Sequence, residues 1–322
     1  MRKKLHKILV SGGAGFIGSE FVRQASSRCY KIIVIDCLTY AGDRKRLSAL
    51  RGRFDFYNVD ICDKEKIKRI IKRERPNAIV HFAAESHVDR SIVDSFSFLK
   101  TNVLGTQQLL DIARTTRIEK FIHISTDEVY GEIHKGAFSE NSSIRPNNPY
   151  SASKAAGDIL TSAYVRTHKL PAIIIRPCNN YGPWQYPEKL IPLTILRSLC
   201  NKKIPVYGKG LQKREWLFVS DCASGILRIM EKGKLGEIYN LGSGQERRNI
   251  DVVKLILKTM HKPFKLIQFV KDRLGHDYRY FSNSEKVIKL GWKPRINFEE
   301  GIRETLSWCF RYQNWLKSKK LA

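Results

Sequence analysis

Lys7-Ile8-Leu9-Val10-Ser11-Gly12-Gly13-Ala14-Gly15-Phe16-Ile17-Gly18 is a short apolar run that breaks into glycine. Its branched aliphatics read as a buried strand, and the apolar pattern through Phe21, Val22 and Ala25 reads as the helix that follows. The glycines at 12, 15 and 18 each have a separate duty. Gly12 permits a tight turn, Gly15 lets a pyrophosphate approach the backbone, and Gly18 lets the helix lie close on the strand. The amino end of that helix then offers free N–H groups to the phosphates. A second strand, Lys31–Ile35, ends in Asp36, eighteen residues beyond Gly18. A carboxylate there accepts from both hydroxyls of a ribose and repels a 2′-phosphate, so the pattern favours NAD over NADP.

Strand and helix go on alternating downstream. Phe54–Val59 reads as a strand leading to Asp60-Ile61, which falls on the adenine side. A helix over Asp63–Arg73 precedes the strand Ala78–Phe82. Ala83-Ala84-Glu85-Ser86 then supplies small residues where a cofactor can pass near the backbone. Phe96–Thr115 reads as one long helix, and Phe121-Ile122-His123-Ile124 as another buried strand. This order predicts an α/β fold with a Rossmann-type doubly wound parallel sheet. Residues 1–175 read as the dinucleotide-binding domain and 176–322 as a smaller substrate-binding lobe, with a strand near Ile238–Leu241 returning to the main sheet. Within the lobe, Arg176–Pro187 reads as a loop, Pro205–Gly210 as a turn and Glu215–Val219 as a strand. Helices are expected near Ile191–Leu199, Asp221–Glu231, Ile250–Met260, Glu285–Leu290 and Phe298–Trp315.

The net charge of +27 raises the question of nucleic acid. The basic residues are spread along the chain, with mild clusters at Arg44–Arg53, Lys64–Arg75 and Lys317–Lys320, and no recognisable RNA- or DNA-binding signature accompanies them. In the second cluster Ile67, Ile70 and Ile71 alternate with the charges, as on the wet side of an amphipathic helix. Solvated surface, some of it attracting an anionic substrate, accounts for the charge. No apolar run reaches the ~20 residues of a membrane span. Met1-Arg2-Lys3-Lys4 lacks the features of a signal peptide. The seven cysteines are scattered without a C-x-x-C, which predicts free thiols in a reducing cytoplasm, no disulfide frame and no metal site.

The chemistry concentrates in Ser125-Thr126-Asp127-Glu128 and Tyr150-Ser151-Ala152-Ser153-Lys154. The first places hydroxyls and two acids at the carboxyl end of a strand, where open parallel sheets bind ligands. In the second, Tyr150 and Lys154 share one face of a helix. An ammonium beside a phenol favours the phenolate, giving a base for oxidising a carbinol. Thr126 is positioned to hydrogen-bond the same sugar oxygen. Two neighbouring acids extend this from oxidation to elimination. Once a ketone forms, one acid can take the proton from the adjacent carbon while the other protonates a leaving hydroxyl.

These motifs, with Ala83-Ala84-Glu85-Ser86-His87-Val88-Asp89-Arg90-Ser91, Val129-Tyr130-Gly131, Asn179-Asn180-Tyr181-Gly182-Pro183, Pro187-Glu188-Lys189-Leu190-Ile191-Pro192 and Arg273-Leu274-Gly275-His276-Asp277, resemble the extended short-chain dehydrogenases/reductases. The Thr-Asp-Glu triplet is similar to that of the nucleotide-sugar 4,6-dehydratases, best known for dTDP-glucose. The resemblance implies a catalytic set of Thr126, Asp127, Glu128, Tyr150 and Lys154. It implies oxidation at C4 by Tyr150, removal of the C5 proton by Glu128, protonation of the C6 hydroxyl by Asp127, and return of the hydride to C6. The NAD contacts it implies are Gly12, Gly15, Phe16, Ile17, Gly18, Asp36, Cys37, Leu38, Thr39, Asp60, Ile61, Phe82, Ala83, Ala84, Ser86, Thr101, Tyr150, Lys154 and Asn180. For the substrate it implies Ser86, Thr126, Asn179, Lys189, Leu190, Pro205, Tyr207, Arg214, Asn249, Arg273 and His276, with the two arginines clamping a diphosphate. A homodimer through Phe96–Thr115 and Pro149–Thr167 is a further implication. The chain departs from the family pattern at Leu274, at Arg176-Pro177-Cys178 and at Trp184, a large aromatic expected near the base pocket. These departures leave thymine and uracil open as the base. A UDP-sugar dehydratase, a 4-epimerase and a sugar-acid decarboxylase are the rival activities. Asp127 discriminates, because epimerases and decarboxylases do not need it. A basic NAD- or nucleic-acid-binding module without catalysis is the rival from another class.

Overall fold

The computed structural model describes residues 6–50 and 52–319. Met1–Lys4, and Arg51 and Lys320 of two basic clusters, lie outside the described residues. β1 (Lys7–Ser11), β2 (Lys31–Asp36), β3 (Phe54–Asn58), β4 (Ala78–His81), β5 (Lys120–Ile124) and β6 (Ala172–Pro177) form one parallel sheet in the order β6-β5-β4-β1-β2-β3. The chain starts in the middle, winds to one edge, and returns to build the other. β1 and β4 are therefore neighbours, and a crevice opens at their carboxyl ends. All of these strands but the edge strand β3 are apolar on both faces because helices cover both. Ile8, Val10 and Val34 pack with Phe21, Val22 and Ile226 on one side; Leu9, Ile33 and Ile35 pack with Ile67, Leu109 and Ala113 on the other.

The Phe96–Thr115 stretch is helical as expected but changes character part-way. Leu99–Gly105 is a π turn between Phe96–Phe98 and the α-helix Thr106–Thr115. Such π turns are rare overall but frequent at functional sites; this one carries a buried amide. It belongs to Asn102, and it donates to the Glu85 carbonyl (2.9 Å) and to Ser153 Oγ (2.8 Å) and accepts from the Glu85 N–H (2.9 Å).

The second half of the chain contributes β7 (Asn179–Tyr181), β8 (Ile204–Tyr207), β9 (Lys213–Phe218), β10 (Ile238–Leu241), β11 (Glu246–Arg248) and β12 (Ile267–Val270). β10 joins β6 in parallel as the seventh strand of the main sheet. The others form a three-stranded sheet, β11-β9-β7, and a two-stranded one, β12-β8. Two expectations need correction. Arg176–Pro187 is not all loop: it holds the end of β6 and all of β7, which pairs with β9 through Asn179 and Trp216. Pro205–Gly210 is not simply a turn, since Pro205–Tyr207 belongs to β8. Pro205 is tolerated because β8 has a single partner and is an edge strand. Among the described residues, no helix is long and apolar enough to cross a membrane.

Candidate active site

A cleft of about 440 Å³ separates the strand ends of the main sheet from the lobe. Thr126, Asp127, Glu128, Tyr150 and Lys154 all line it, as do Ser86, Asn179, Lys189, Leu190, Pro205, Tyr207, Arg214, Asn249, Arg273 and His276. Residues far apart in sequence thus meet in one cavity.

Tyr150 is set by the start of its helix, Pro149–His168. Asn148 caps it by accepting from the Ser151 N–H (2.9 Å) in a reciprocal box with Ser151, and Pro149 occupies the first turn. Ser91 Oγ accepts the Tyr150 N–H at 3.1 Å. Lys154 follows one turn later, but its Nζ donates to the Ile124 carbonyl at 2.6 Å. That bond occupies one of the three donors of the ammonium and leaves two for a phenolate or a ribose hydroxyl. Burial first, and Glu128 second, push the Tyr150 hydroxyl above its ordinary range, while a hydrogen bond from Thr126 works the other way. Burial draws Lys154 down to about 8.

Asp127 and Glu128 do not continue β5. Thr126 caps a single 3₁₀ turn, Asp127–Tyr130, by accepting the Glu128 N–H at 3.2 Å. On a strand, neighbouring side chains would point to opposite faces. The turn lets both acids line one cavity. Asp127 is 1 % exposed and its Oδ2 has no partner. Burial, then Glu128, then Glu215 hold its carboxyl well above the carboxylate range. Glu128 is also raised by burial, but Arg214, Arg273 and Lys189 all pull it back. Both acids are raised, and they differ in what opposes the rise: Asp127 is pushed further up by Glu128 and Glu215, whereas three cations face Glu128.

Those cations are anchored. Arg214 donates to the carbonyls of Lys213 (2.7 Å), Tyr278 (3.3 Å) and Asp277 (2.8 Å), and its guanidinium lies over the Tyr280 ring at 4.3 Å. Lys189 Nζ donates to the Ser86 carbonyl at 2.7 Å. Arg273 reaches Asp89 at 3.4 Å, and its Nε is buried without a partner, as are Asn179 Oδ1 and Asn249 Oδ1. A cleft with fixed positive charge and unsatisfied polar atoms suits a polar anion. His276 bonds Asp272 at 2.6 Å, and burial lowers its pKa.

The dinucleotide end meets the requirements of the glycine pattern. Gly12 has φ +70°, and a Cβ there would lie 2.6 Å from the Ala83 nitrogen; one on Gly18 would lie 2.2 Å from the Gly12 oxygen. The helix Phe16–Ser27 has no side-chain cap and no acid in its first turn, so its amino end is open to an anion. Gly12, Gly15, Phe16, Ile17, Gly18, Phe82, Ala84, Ser86 and Asn180 line the cleft. Asp36, Cys37, Leu38, Thr39, Asp60, Ile61, Ala83 and Thr101 do not. Asp36 accepts from the Ala14 and Leu38 N–H groups (2.9 and 2.8 Å) and so braces the turn, while the Ile61 side chain belongs to the core. Cys37 and Thr39 are exposed at the strand end. Among the described residues no cluster of three or more His, Cys, Asp or Glu is placed to hold a metal.

The family model for GDP-mannose 4,6 dehydratase matches residues 9–305. The chain belongs to that family. A dTDP-glucose 4,6-dehydratase from Streptomyces niveus is 44% identical, over 98% of this chain and 96% of its own length. The solved dTDP-glucose 4,6-dehydratase of Streptomyces venezuelae, which has NAD bound, superposes with a TM-score of 0.95 at 42% identity, covering 98% of this chain and 100% of that one. A Thermus thermophilus UDP-glucose 4-epimerase, also with NAD, superposes at 0.89 with 31% identity over 95% and 99%. The fold is therefore shared by dehydratases and epimerases of this family, and the site must tell them apart.

Several residues of this dehydratase-family site had no local signal. Tyr280 donates to Asp277 and lies 3.4 Å from Glu128, reached from 152 residues away. Asn102 ties the Ala83–Ser86 segment to the Tyr150 helix, and Arg46 lines the dinucleotide end. Trp184 was expected near the base. Instead its ring packs into a cluster with Trp308 (4.8 Å), Tyr312 (5.2 Å) and Trp315 (5.2 Å) and does not line the cleft, although its neighbours Gln185 and Tyr186 do. Leu274, another of the three departures, is 74% exposed, which explains why its side chain is unconstrained.

Proposed function

We propose that the chain is an NAD-dependent nucleotide-sugar 4,6-dehydratase, a hydro-lyase that converts dTDP-glucose to its 4-keto-6-deoxy product. The observation that carries this reading is the unequal acid pair: Asp127, whose buried carboxyl is held well above the carboxylate range, beside Glu128, whose smaller rise is opposed by three cations. A nicotinamide dinucleotide along the glycine turn would accept a hydride and later give it back. Tyr150 takes the proton of the C4 hydroxyl, with Thr126 on the same oxygen. Glu128 removes the C5 proton, made acidic by the new ketone. Asp127 protonates the C6 hydroxyl, which departs as water. Lys189, Arg214 and Arg273 hold the diphosphate, and Asn179 and Asn249 add polar contacts. Lys154, braced by the Ile124 carbonyl, orients the ribose end of the cofactor. An epimerase requires only the redox half of this set, so Asp127 favours dehydration.

The dTDP-glucose 4,6-dehydratases among the relatives support thymine as the base. Incubation with dTDP-glucose and, separately, UDP-glucose, without added reductant, tests the reading. The 4-keto-6-deoxy product is expected with the thymidine sugar in preference to the uridine one; a C4 epimer without dehydration would overturn the assignment. We place the enzyme in the cytoplasm, on the strength of its free thiols. We assign it a homodimer through the face that leaves Phe96, Leu99, Leu104 and Ile159 exposed, and light scattering reads that state directly.

A further inference from the structure

Arg46 stands at the dinucleotide end of the cleft and is only 7 % exposed. Its Nη1 donates to the carbonyls of Ala14 (2.8 Å) and Ala41 (2.5 Å), and its Nε to that of Trp184 (3.1 Å). Nη2 is buried without a partner. Ala14 is the middle of the glycine turn. Its N–H is held by Asp36, and its carbonyl by Arg46 and by the Asp43 N–H (3.0 Å). One guanidinium thus fastens the turn to a segment in the first half of the chain and to another in the second.

The far end of the chain closes over this knot. Trp315 Nε1 donates to Asp43 at 2.8 Å, and the Trp315 ring lies 5.5 Å from the Arg46 guanidinium. Lys319 Nζ donates to the same Asp43 oxygen at 2.6 Å and sits 4.7 Å from the Trp315 ring. Trp184, whose carbonyl Arg46 holds, is in left-handed backbone geometry (φ +70°) and turns its ring onto Trp315. Such backbone is uncommon for a bulky residue and persists only where its surroundings enforce it.

We propose that Arg46 and the C-terminal Trp315 form a latch that keeps the glycine turn closed on the dinucleotide, so that the cofactor remains with the protein through repeated turnovers. The inference rests on the dehydratase reading, in which the hydride is borrowed and returned and the cofactor need never leave. Both are positioning residues: they act through the turn and have no part in the sugar chemistry.

The test is read without sugar, so its outcome is separate from that of the activity assay. Holoenzyme is prepared with radiolabelled NAD and chased with excess unlabelled NAD, for the unaltered protein, Arg46→Gln and Trp315→Phe. The phenylalanine keeps an aromatic ring in the cluster, removes the bond to Asp43 and narrows the face that meets the Arg46 guanidinium. Release about tenfold faster is expected in both variants, because such contacts act mainly on dissociation. The melting temperatures of the cofactor-free forms are compared alongside. A merely structural role would lower those and leave the release rate alone. Release within about twofold of the unaltered protein in either variant overturns the latch.

Discussion

The main sheet and the lobe are built on different rules. In β1, β2, β4 and β5 nearly every residue is buried, and each strand is identifiable from its own aliphatic run. In β11 and β12 no residue is fully buried, and each strand exists only by virtue of a partner: β11 lies against β9, and β12 against β8, some sixty residues back. In the proposed reaction the first region supplies the machinery of proton and hydride movement. The second supplies charge, through Arg214, Arg273 and Lys189, and decides how the acids of the first behave. A reaction centre can thus be encoded locally while its tuning is encoded at long range.

The sharpest challenge to that division is Tyr150→Phe. If the redox step belongs to the sheet side alone, the loss should be ~10²–10⁴-fold in kcat/KM with sugar binding intact, measured by steady-state kinetics and by calorimetry with the nucleotide sugar. A comparable loss of binding would mean that the two regions do not divide the work.

Next in size is the buried ion pair beneath the catalytic helix. Arg176 donates to Asp158 at 2.8 Å and to the Tyr130 hydroxyl at 2.8 Å, with Asp158 at 1 % exposure. Asp158→Asn leaves that guanidinium without its counter-charge and should destabilise the fold by about 3–5 kcal/mol, seen in urea unfolding. Burial alone would raise Asp158, but His123 and Arg176 outweigh it, and its pKa is lowered in the folded state. Its contribution is therefore present above the unfolded carboxylate pKa and is lost as pH falls through the folded value. A change confined to the lobe, with the main sheet unaffected, would contradict the placement of this pair in the sheet region.

Asp127→Asn probes the dependence of one region on the other. Oxidation at C4 should persist while water loss slows by ~10²–10³-fold, followed by exchange of a C5 deuterium against formation of product. In the unaltered enzyme, dehydration should fall as pH rises through the raised Asp127 pKa, because the acid is lost, and fall as pH drops through that of Glu128, because the base is protonated. A dehydration rate untouched by Asp127→Asn would remove the acid from the mechanism. The smallest effect belongs to Leu274→Pro. At this exposed position of the lobe, stability should shift by no more than about 0.5 kcal/mol and KM should hardly change, as thermal melts and kinetics will read.

Much of the site was legible where chemistry sits beside punctuation. Gly12, Gly15 and Gly18 announce the turn, and at Gly12 and Gly18 a Cβ would collide with backbone; Tyr150 and Lys154 announce by their spacing the helix that carries them. The π turn at Leu99–Gly105 was not legible, because it answers to Glu85 and Ser153 and not to its own propensities. Trp184 was misplaced for the same kind of reason. A bulky aromatic beside a ligand motif looks like a pocket wall, and only the C-terminal helices reveal that its ring belongs to another cluster.

Periodicity and local residue chemistry were enough to determine the parallel sheet and the dinucleotide turn, and to nominate the groups proposed to react. Both are short-range properties: a buried strand must be apolar, and a backbone that approaches a phosphate must be glycine. Tertiary structure decided the rest. It braced the Lys154 ammonium on the Ile124 carbonyl, turned two adjacent acids to one side through a 3₁₀ turn, and drove their proton affinities with Glu215, Arg214 and Arg273. Desolvation and charge act through space, and the distances that set them do not exist until the chain has folded.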